Sequence, residues 1–315
     1  MSSVHGIHHV TAICGDAQEN LDFYTGVLGL RLVKRSVNQD SPDTYHLFYA
    51  DAAGSPGADL TFFPWPGMPG GTPGAGLAME VGFALPEGAL GYWSDRLKGL
   101  GIEATRETRF GDETLSFRDP HGLGLSLTES SRRLPVTPWE KSPVPAERQI
   151  QGFHAVRLWE RGLGISAGFL RDAMGFAEDA TDGAWHRLAV DGGGSSRWIE
   201  IKETPDLARG IWGVGYVHHV AFRVRDDEEQ GEVRRKVLGE GRPATEVIDR
   251  FWFRSVYFHE PGGVLYELAT DGPGFSVDEK PGELGERLIL PPWLEPHRGA
   301  IERGLPPLKS TTGAR

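Results

Sequence analysis

Cysteine is almost absent from this chain. Its 315 residues include one, Cys14, which excludes an intramolecular disulfide and any zinc site built on cysteine. A long apolar run is also missing. No stretch of about 18 apolar residues occurs, so no helix is expected to span a membrane. Positive charge is in short supply. Lys and Arg total 33 against 44 Asp and Glu, leaving a net charge of −11. Phosphates and anionic membranes would be repelled rather than neutralised, so neither is an expected partner. The opening residues MSSVHGIHHV show no basic segment followed by an apolar run. No secretory signal is therefore expected, and the cytoplasm is the expected location.

What the chain does have is turn residues and internal repetition. With 43 Gly and 22 Pro, many short strands are expected. The length suits two domains or one large one. Four related units follow one another. They start at Gly6, near Met79, at Gly152 and at Gly215. Each reads as a strand, a helix and two or three further strands. The second and fourth units match most closely, RFGDETLSFRDPHGLGLSL against RFWFRSVYFHEPGGVLYEL. Arg109 parallels Arg250, Pro120 parallels Pro261 and Gly122 parallels Gly263. Pro-His-Gly and Pro-Gly-Gly read as hairpin turns between adjacent strands. In this register Ser126 occupies the place of Glu267. A purely structural repeat gives no reason for one copy to carry a carboxylate; a metal ligand does. The Pro-rich span 135–149 reads as a linker. The tail after Asp278 reads as an irregular arm with a short helix around Glu295 to Arg303, ending in an unstructured KSTTGAR.

Two histidine pairs, His8-His9 and His218-His219, open the first and fourth units. Two imidazoles and one carboxylate, Glu267, would hold a divalent ion and leave coordination positions open. That donor set suits non-haem Fe(II) and oxygen chemistry, with Mn(II) as the other ion it accommodates. Strand alternation selects among the histidines. Val10 and Ala12 share a face with His8, and Val220, Phe222 and Val224 share one with His218. Those apolar faces are expected beneath the helices, so His9 and His219 point the other way. Glu267 shares its face with Leu265 and Ala269. A rival trio replaces His9 with His154 of the third unit.

These stretches resemble the vicinal oxygen chelate superfamily, and within it the hydroquinone-type ring-cleaving dioxygenases. The resemblance rests on GIHHVTAICGDAQENLDFYTGVLGLRLVKR, YHLFYADAAGSPG, GFHAV, YVHHVAF, VYFHEPGGVLYELATDGPGF and LPPWLE. It implies an α+β fold: four βαβββ modules forming two curled-sheet domains with a metal-holding cup. The expected division is an N-terminal domain 1–134, the linker 135–149, a C-terminal domain 150–278 and the arm 279–315. The resemblance agrees with His9, His219 and Glu267 as ligands. It implies a pocket tyrosine at Tyr257 and a pocket arginine at Arg250 that pairs with a phenolate. His8 and His218, beside the ligands, are further catalytic candidates that would orient them. Tyr45 and His46 are weaker ones. The implied substrates are a small aromatic ring and O2. Exposed edges of curled sheets suggest a homodimer.

Two other functions compete. A glyoxalase-like isomerase usually draws a carboxylate from each paired module, and LTFFPWP offers none here. A metal-free drug-binding protein does not need His, His and Glu together. His121 and His259, at or beside turns, are expected to be exposed. His5, His186 and His297 have no evident partners.

Overall fold

A computed structural model describes residues 3–132 and 135–309. The unstructured end expected from the sequence lies, beyond Lys309, outside the described residues. Four consecutive βαβββ modules account for nearly all regular structure. The first comprises β1 (Ile7–Cys14), α1 (Ala17–Asp22, continued by a π-helical turn Phe23–Val27), β2 (Arg31–Asn38), β3 (Ser41–Ala50) and β4 (Asp59–Pro64). The second comprises β5 (Leu77–Leu85), α2 (Leu90–Gly99), β6 (Thr105–Arg109), β7 (Asp112–Arg118) and β8 (Gly124–Glu129). The third comprises β9 (Phe153–Glu160), α3 (Leu163–Met174), β10 (Ala177–Asp182), β11 (Trp185–Ala189) and β12 (Trp198–Glu203). The fourth comprises β13 (Val217–Val224), α4 (Asp227–Gly239), β14 (Ile248–Asp249), β15 (Arg254–His259) and β16 (Leu265–Thr270). The arm carries a 3-10 turn, Glu295–His297, and α5 (Arg298–Gly304).

Local sequence explains where the helices start. Asp16 and Asp226 are N-caps whose carboxylates accept from the amides of Glu19 and Glu229, at 2.8 and 3.0 Å. Each satisfies a backbone donor that the helix leaves unpaired. The Pro-His-Gly and Pro-Gly-Gly segments do join adjacent antiparallel strands, β7 to β8 and β15 to β16. Gly263 has φ +118°, and Gly122 has φ +95°, a region that a side chain rarely tolerates.

The modules assemble into two eight-stranded sheets. One runs β14-β15-β16-β13-β1-β4-β3-β2, the other β10-β11-β12-β9-β5-β8-β7-β6. Pairing thus crosses the 135–149 span in both sheets. The first sheet joins modules one and four, and the second joins modules two and three. The joints are antiparallel, β1 on β13 and β5 on β9. Within a module the first and last strands lie side by side and parallel. The helices cover the apolar faces. Phe222 and Tyr266 meet edge to face at 4.9 Å in the core, and Phe169 of α3 reaches Phe258. Among the described residues no helix is long and apolar enough to cross a membrane.

Candidate metal centre

The centre of the first sheet is where β1 and β13 run antiparallel, with Val10 opposite Val220. Glu267 enters from β16, which lies parallel to β13 with Glu267 opposite Ala221. Three side chains from three strands therefore converge. His9 Nε2 lies 3.2 Å from His219 Nε2. Glu267 Oε2 lies 3.0 Å from His219 Nε2 and 3.4 Å from His9 Nε2. All three residues are buried. The other carboxylate oxygen, Oε1, accepts from Ser255 Oγ at 2.5 Å. Oε2 is buried and no hydrogen-bond donor satisfies it.

That orphaned oxygen tests the donor set. A buried carboxylate oxygen without a donor is costly unless something positive meets it. The triangle of 3.0, 3.2 and 3.4 Å matches neighbouring ligands held about 2.1 Å from one ion. Two imidazoles and a carboxylate are donors of the right chemistry for a first-row divalent cation. Among the described residues, His9, His219 and Glu267 form the one group of three or more such side chains so arranged. Burial pushes the Glu267 carboxyl upward, but the His9 and His219 imidazoles outweigh it and hold it well below the usual range. Burial lowers His219, so its ring stays neutral and able to ligate.

Strict alternation fails at the first histidine of each pair. Pairing jumps from Ile7↔Phe222 to His9↔Ala221, and from Thr11↔His219 to Ala12↔Val217. His8 and His218 are thus bulged residues, and a bulge resets which way a side chain points. Instead of lying with Val10 beneath a helix, the His8 ring turns to its neighbour. His8 Nδ1 is 2.9 Å from His9 Nδ1, and His218 Nδ1 is 2.8 Å from His219 Nδ1. Burial, then the adjacent imidazole, pushes both His8 and His218 down to about 3. They are neutral partners at ordinary pH.

The walls come from both modules. Tyr257 stands directly opposite Glu267 on β15, and its ring meets that of His219 at 5.6 Å. Burial, then the Glu267 charge, raises its hydroxyl. Arg250 lies over the Tyr257 ring, 5.5 Å away. It reaches across to the first module, with Nη1 and Nη2 3.1 and 2.8 Å from the Asp40 carboxylate. Gln39 donates to the Arg250 carbonyl at 2.9 Å. Trp252 and Phe253 line the same cavity, whose free volume is only about 40 Å³. Phe251 instead packs outward against Trp293, and Trp65 is half-buried beside His218.

His46 also lines this cavity. Its Nε2 is 2.8 Å from Thr61 Oγ1, which is 2.8 Å from Thr11 Oγ1. Tyr45 belongs elsewhere, donating to the Pro306 carbonyl. His154 is on β9 of the other sheet against Trp198, so the rival trio is not brought together. His259 is exposed as expected. His121 is not: its side chain is 8% exposed, and its Nε2 accepts from the Asp16 amide at 3.1 Å. His5 has partners after all, Asp191 and Glu229 at 2.8 and 2.9 Å. Ser255 escaped the sequence reading. It sits two residues before Tyr257 on one strand, and that period-two spacing is the signal from which its place on the Glu267 side can be read.

Residues 6–127 match the model of the Glyoxalase/Bleomycin resistance protein/Dioxygenase superfamily. The chain belongs to that superfamily. It is 42% identical over 304 residues to MhqO of Bacillus subtilis, named as a candidate ring-cleaving dioxygenase, with 96% of each chain covered. It is 35% identical to the chlorohydroquinone/hydroquinone 1,2-dioxygenase of Sphingobium indicum, over 93% of each. A crystal structure of a candidate dioxygenase from Bacillus subtilis superposes with TM-score 0.92 at 41% identity, covering 98% of this chain and 99% of the other. Glyoxalase I from Zea mays shares the fold, with TM-score 0.62 at 16% identity over 84% and 92% of the two chains.

Proposed function

We propose that this protein is an Fe(II)-dependent ring-cleaving dioxygenase that opens a hydroquinone- or catechol-type ring with O2. His9, His219 and Glu267 hold the ion, and Mn(II) is the other ion that donor set admits. The observation that carries the reading is the buried, donor-less Glu267 Oε2 between two imidazole nitrogens. Names of the similar full-length chains point to the same chemistry. When bound, the ion supplies Lewis acidity toward a phenolic oxygen and one-electron chemistry with O2.

The protein's own groups do the rest. For Nε2 of His9 and His219 to ligate, each ring proton sits on Nδ1. His8 Nδ1 and His218 Nδ1 are then the acceptors, at 2.9 and 2.8 Å. These contacts fix ring orientation and tautomer. Ser255 orients the carboxylate by donating to Oε1. Tyr257, kept protonated by burial and by Glu267, offers a hydroxyl proton beside the ligand face. Arg250 brings a fixed positive charge to offset a phenolate. Phe48, Phe63 and Trp252 offer flat apolar walls to a ring. The position on β4 that pairs with Thr11 is Thr61, so the first module contributes no second carboxylate.

Oxygen uptake tests the reading. Protein purified anaerobically and loaded with Fe(II) is given hydroquinones and catechols. The expected result is uptake with a new ring-opened chromophore, abolished by His9→Ala and retained in His154→Ala. Metal bound without uptake would favour an isomerase, and neither metal nor uptake would favour a drug-binding protein. Metal analysis of the purified protein separates iron from manganese. A cytoplasmic homodimer completes the reading, and sedimentation measures its assembly.

A further inference from the structure

The second sheet forms a cup of its own, and its side chains are not those of the first. The sheet joints align Val81 opposite Val156, as Val10 lies opposite Val220. Glu80 then stands in the place of His9, and Ala155 in that of His219. Ser126 on β8 and Glu200 on β12 take the places of Thr61 and Glu267. The cup contains no donor set like the one in the first sheet. It contains guanidinium groups and indoles around an open cavity of about 910 Å³.

The arrangement leaves one arginine edge uncommitted. Arg157 and Arg187 share a single carboxylate. Arg157 Nε donates to Glu200 Oε2 at 2.8 Å, and Arg187 Nη2 to Oε1 at 2.7 Å. Arg187 is held further by Trp198 and Phe110. Arg157 is 94% buried by its 6% exposure, lines the cavity and spends only Nε on hydrogen bonding. Its Cζ lies 3.7 Å from the centroid of the Trp185 ring, which fixes the guanidinium plane in place. A purely structural ion pair would use both prongs of the fork or fill the space beside it. Here both the prongs and the space remain.

We propose that this second cup is a metal-free binding site for a flat carboxylate, with Arg157 taking the carboxylate and Trp185 and Trp159 flanking the conjugated body. A guanidinium fork matches a planar carboxylate through two parallel hydrogen bonds. Indole faces match a planar conjugated body. The charges around Arg157 argue against a phosphate ester. Glu80 stands opposite Arg157 on the neighbouring strand, and Arg109 is shared between Glu80 and Glu107. With Glu200 between Arg157 and Arg187, the carboxylates already balance the guanidinium groups. That balance disfavours a second anionic group, and the nearby carboxylates suit a hydrogen-bond donor such as a hydroxyl. A hydroxylated aromatic acid therefore fits the cup.

The test uses 4-hydroxybenzoate titrated into the full-length protein, read by tryptophan fluorescence and by calorimetry. One saturable equivalent is expected, bound at least about tenfold more tightly than phenol or inorganic phosphate. Arg157→Gln and Trp185→Leu should each weaken it about tenfold or more, and His219→Ala should leave it unchanged. Trp185 is only half-buried and its replacement leaves every ion pair intact, so that variant reports even where Arg157→Gln folds poorly. Absence of saturation by about 10 mM, full binding in Trp185→Leu, or loss of binding in His219→Ala overturns the proposal. Sorbate, flat and conjugated without a ring, separates the two sources of such acids. Equal affinity assigns the cup to ring-opened acids as well, and a preference for 4-hydroxybenzoate assigns it to aromatic ones.

Discussion

In the first sheet Glu267 has one oxygen on Ser255 and the other on no donor. In the second sheet Glu200, at the matching position, has both oxygens on guanidinium groups. The two cups share strand order, register and even backbone detail. Phe251, after Arg250, and Phe110, after Arg109, both have positive φ, at +74° and +50°, a conformation rare for such residues. Yet Arg109 is spent on Glu80 and Glu107, whereas Arg250 bridges modules to Asp40 at the mouth of the cavity. The topology supplies positions; charge compensation decides their use. A buried carboxylate already matched by arginines has no affinity left for a metal. One flanked by imidazoles, with an oxygen that no donor meets, still has a position to offer a cation.

Replacing each of these glutamates is the sharpest way to break the parallel. Glu267→Gln should abolish metal retention and lower turnover by about a thousandfold or more. The metal-free protein should lose little thermal stability, because the amide oxygen still accepts from Ser255 and no arginine loses its counterion. Iron content, oxygen uptake and melting with chelator present check all three. Glu200→Gln should do the reverse. It leaves Arg157 and Arg187 without their counterion, costing about 3 kcal/mol in denaturant unfolding, while iron content stays unchanged. Equal stability losses in the two variants would end the distinction drawn here.

Smaller effects refine it. His8→Ala removes the acceptor that orients His9 and should weaken metal affinity about ten- to a hundredfold, measured by competition with a chelator. The equivalent change in the other cup, Met79→Ala, should not affect metal at all. The smallest effect concerns the seam between the sheets. Glu160 at the end of β9 meets Glu260 beside the β15–β16 turn, and a Cβ at Gly262 would lie only 1.9 Å from Glu160 Oε2. Burial, then repulsion from Glu260, raises the Glu160 carboxyl to about 8. The folded protein therefore holds a proton that the unfolded chain releases above its ordinary value near 4.5. Stability from this site is fully present at low pH and is lost as pH rises toward 8. Glu160→Gln should flatten that slope, raising the melting temperature by a few degrees, about 2–4 °C, at pH 8 and little at pH 5. A melting profile unchanged between wild type and variant would remove this proton from the account.

The convergence of His9, His219 and Glu267 in the candidate metal centre was legible in the sequence because its signals were local. Paired histidines at the start of two repeated units, and a carboxylate present in one hairpin and missing from its copy, are visible within short windows. The modules and hairpins were legible for the same reason. Other features were hidden by distance along the chain. Glu200 gains meaning only from Arg157, 43 residues away, and His5 only from Asp191 and Glu229, 186 and 224 residues away. The bulges at His8 and His218 were invisible because alternation assumes one residue per strand position, and only the partner strand reveals the extra one. The pairing of module one with four, rather than with its neighbour, likewise depends on the β1–β13 joint.

That nesting has a consequence for how the molecule is made. His9 and His219 meet across 210 residues of chain, and Glu267 follows later still. The inner sheet is complete once β12 has been synthesised at Glu203, whereas the outer sheet waits for β16. During synthesis β1 is an edge still waiting for β13, and it carries one of the three candidate ligands. A chain cut short before Leu265 keeps every strand of the inner sheet and lacks the carboxylate altogether. The candidate ion site is thus the last part of the two sheets to be completed, and it can form only in a chain that has been extended through β16.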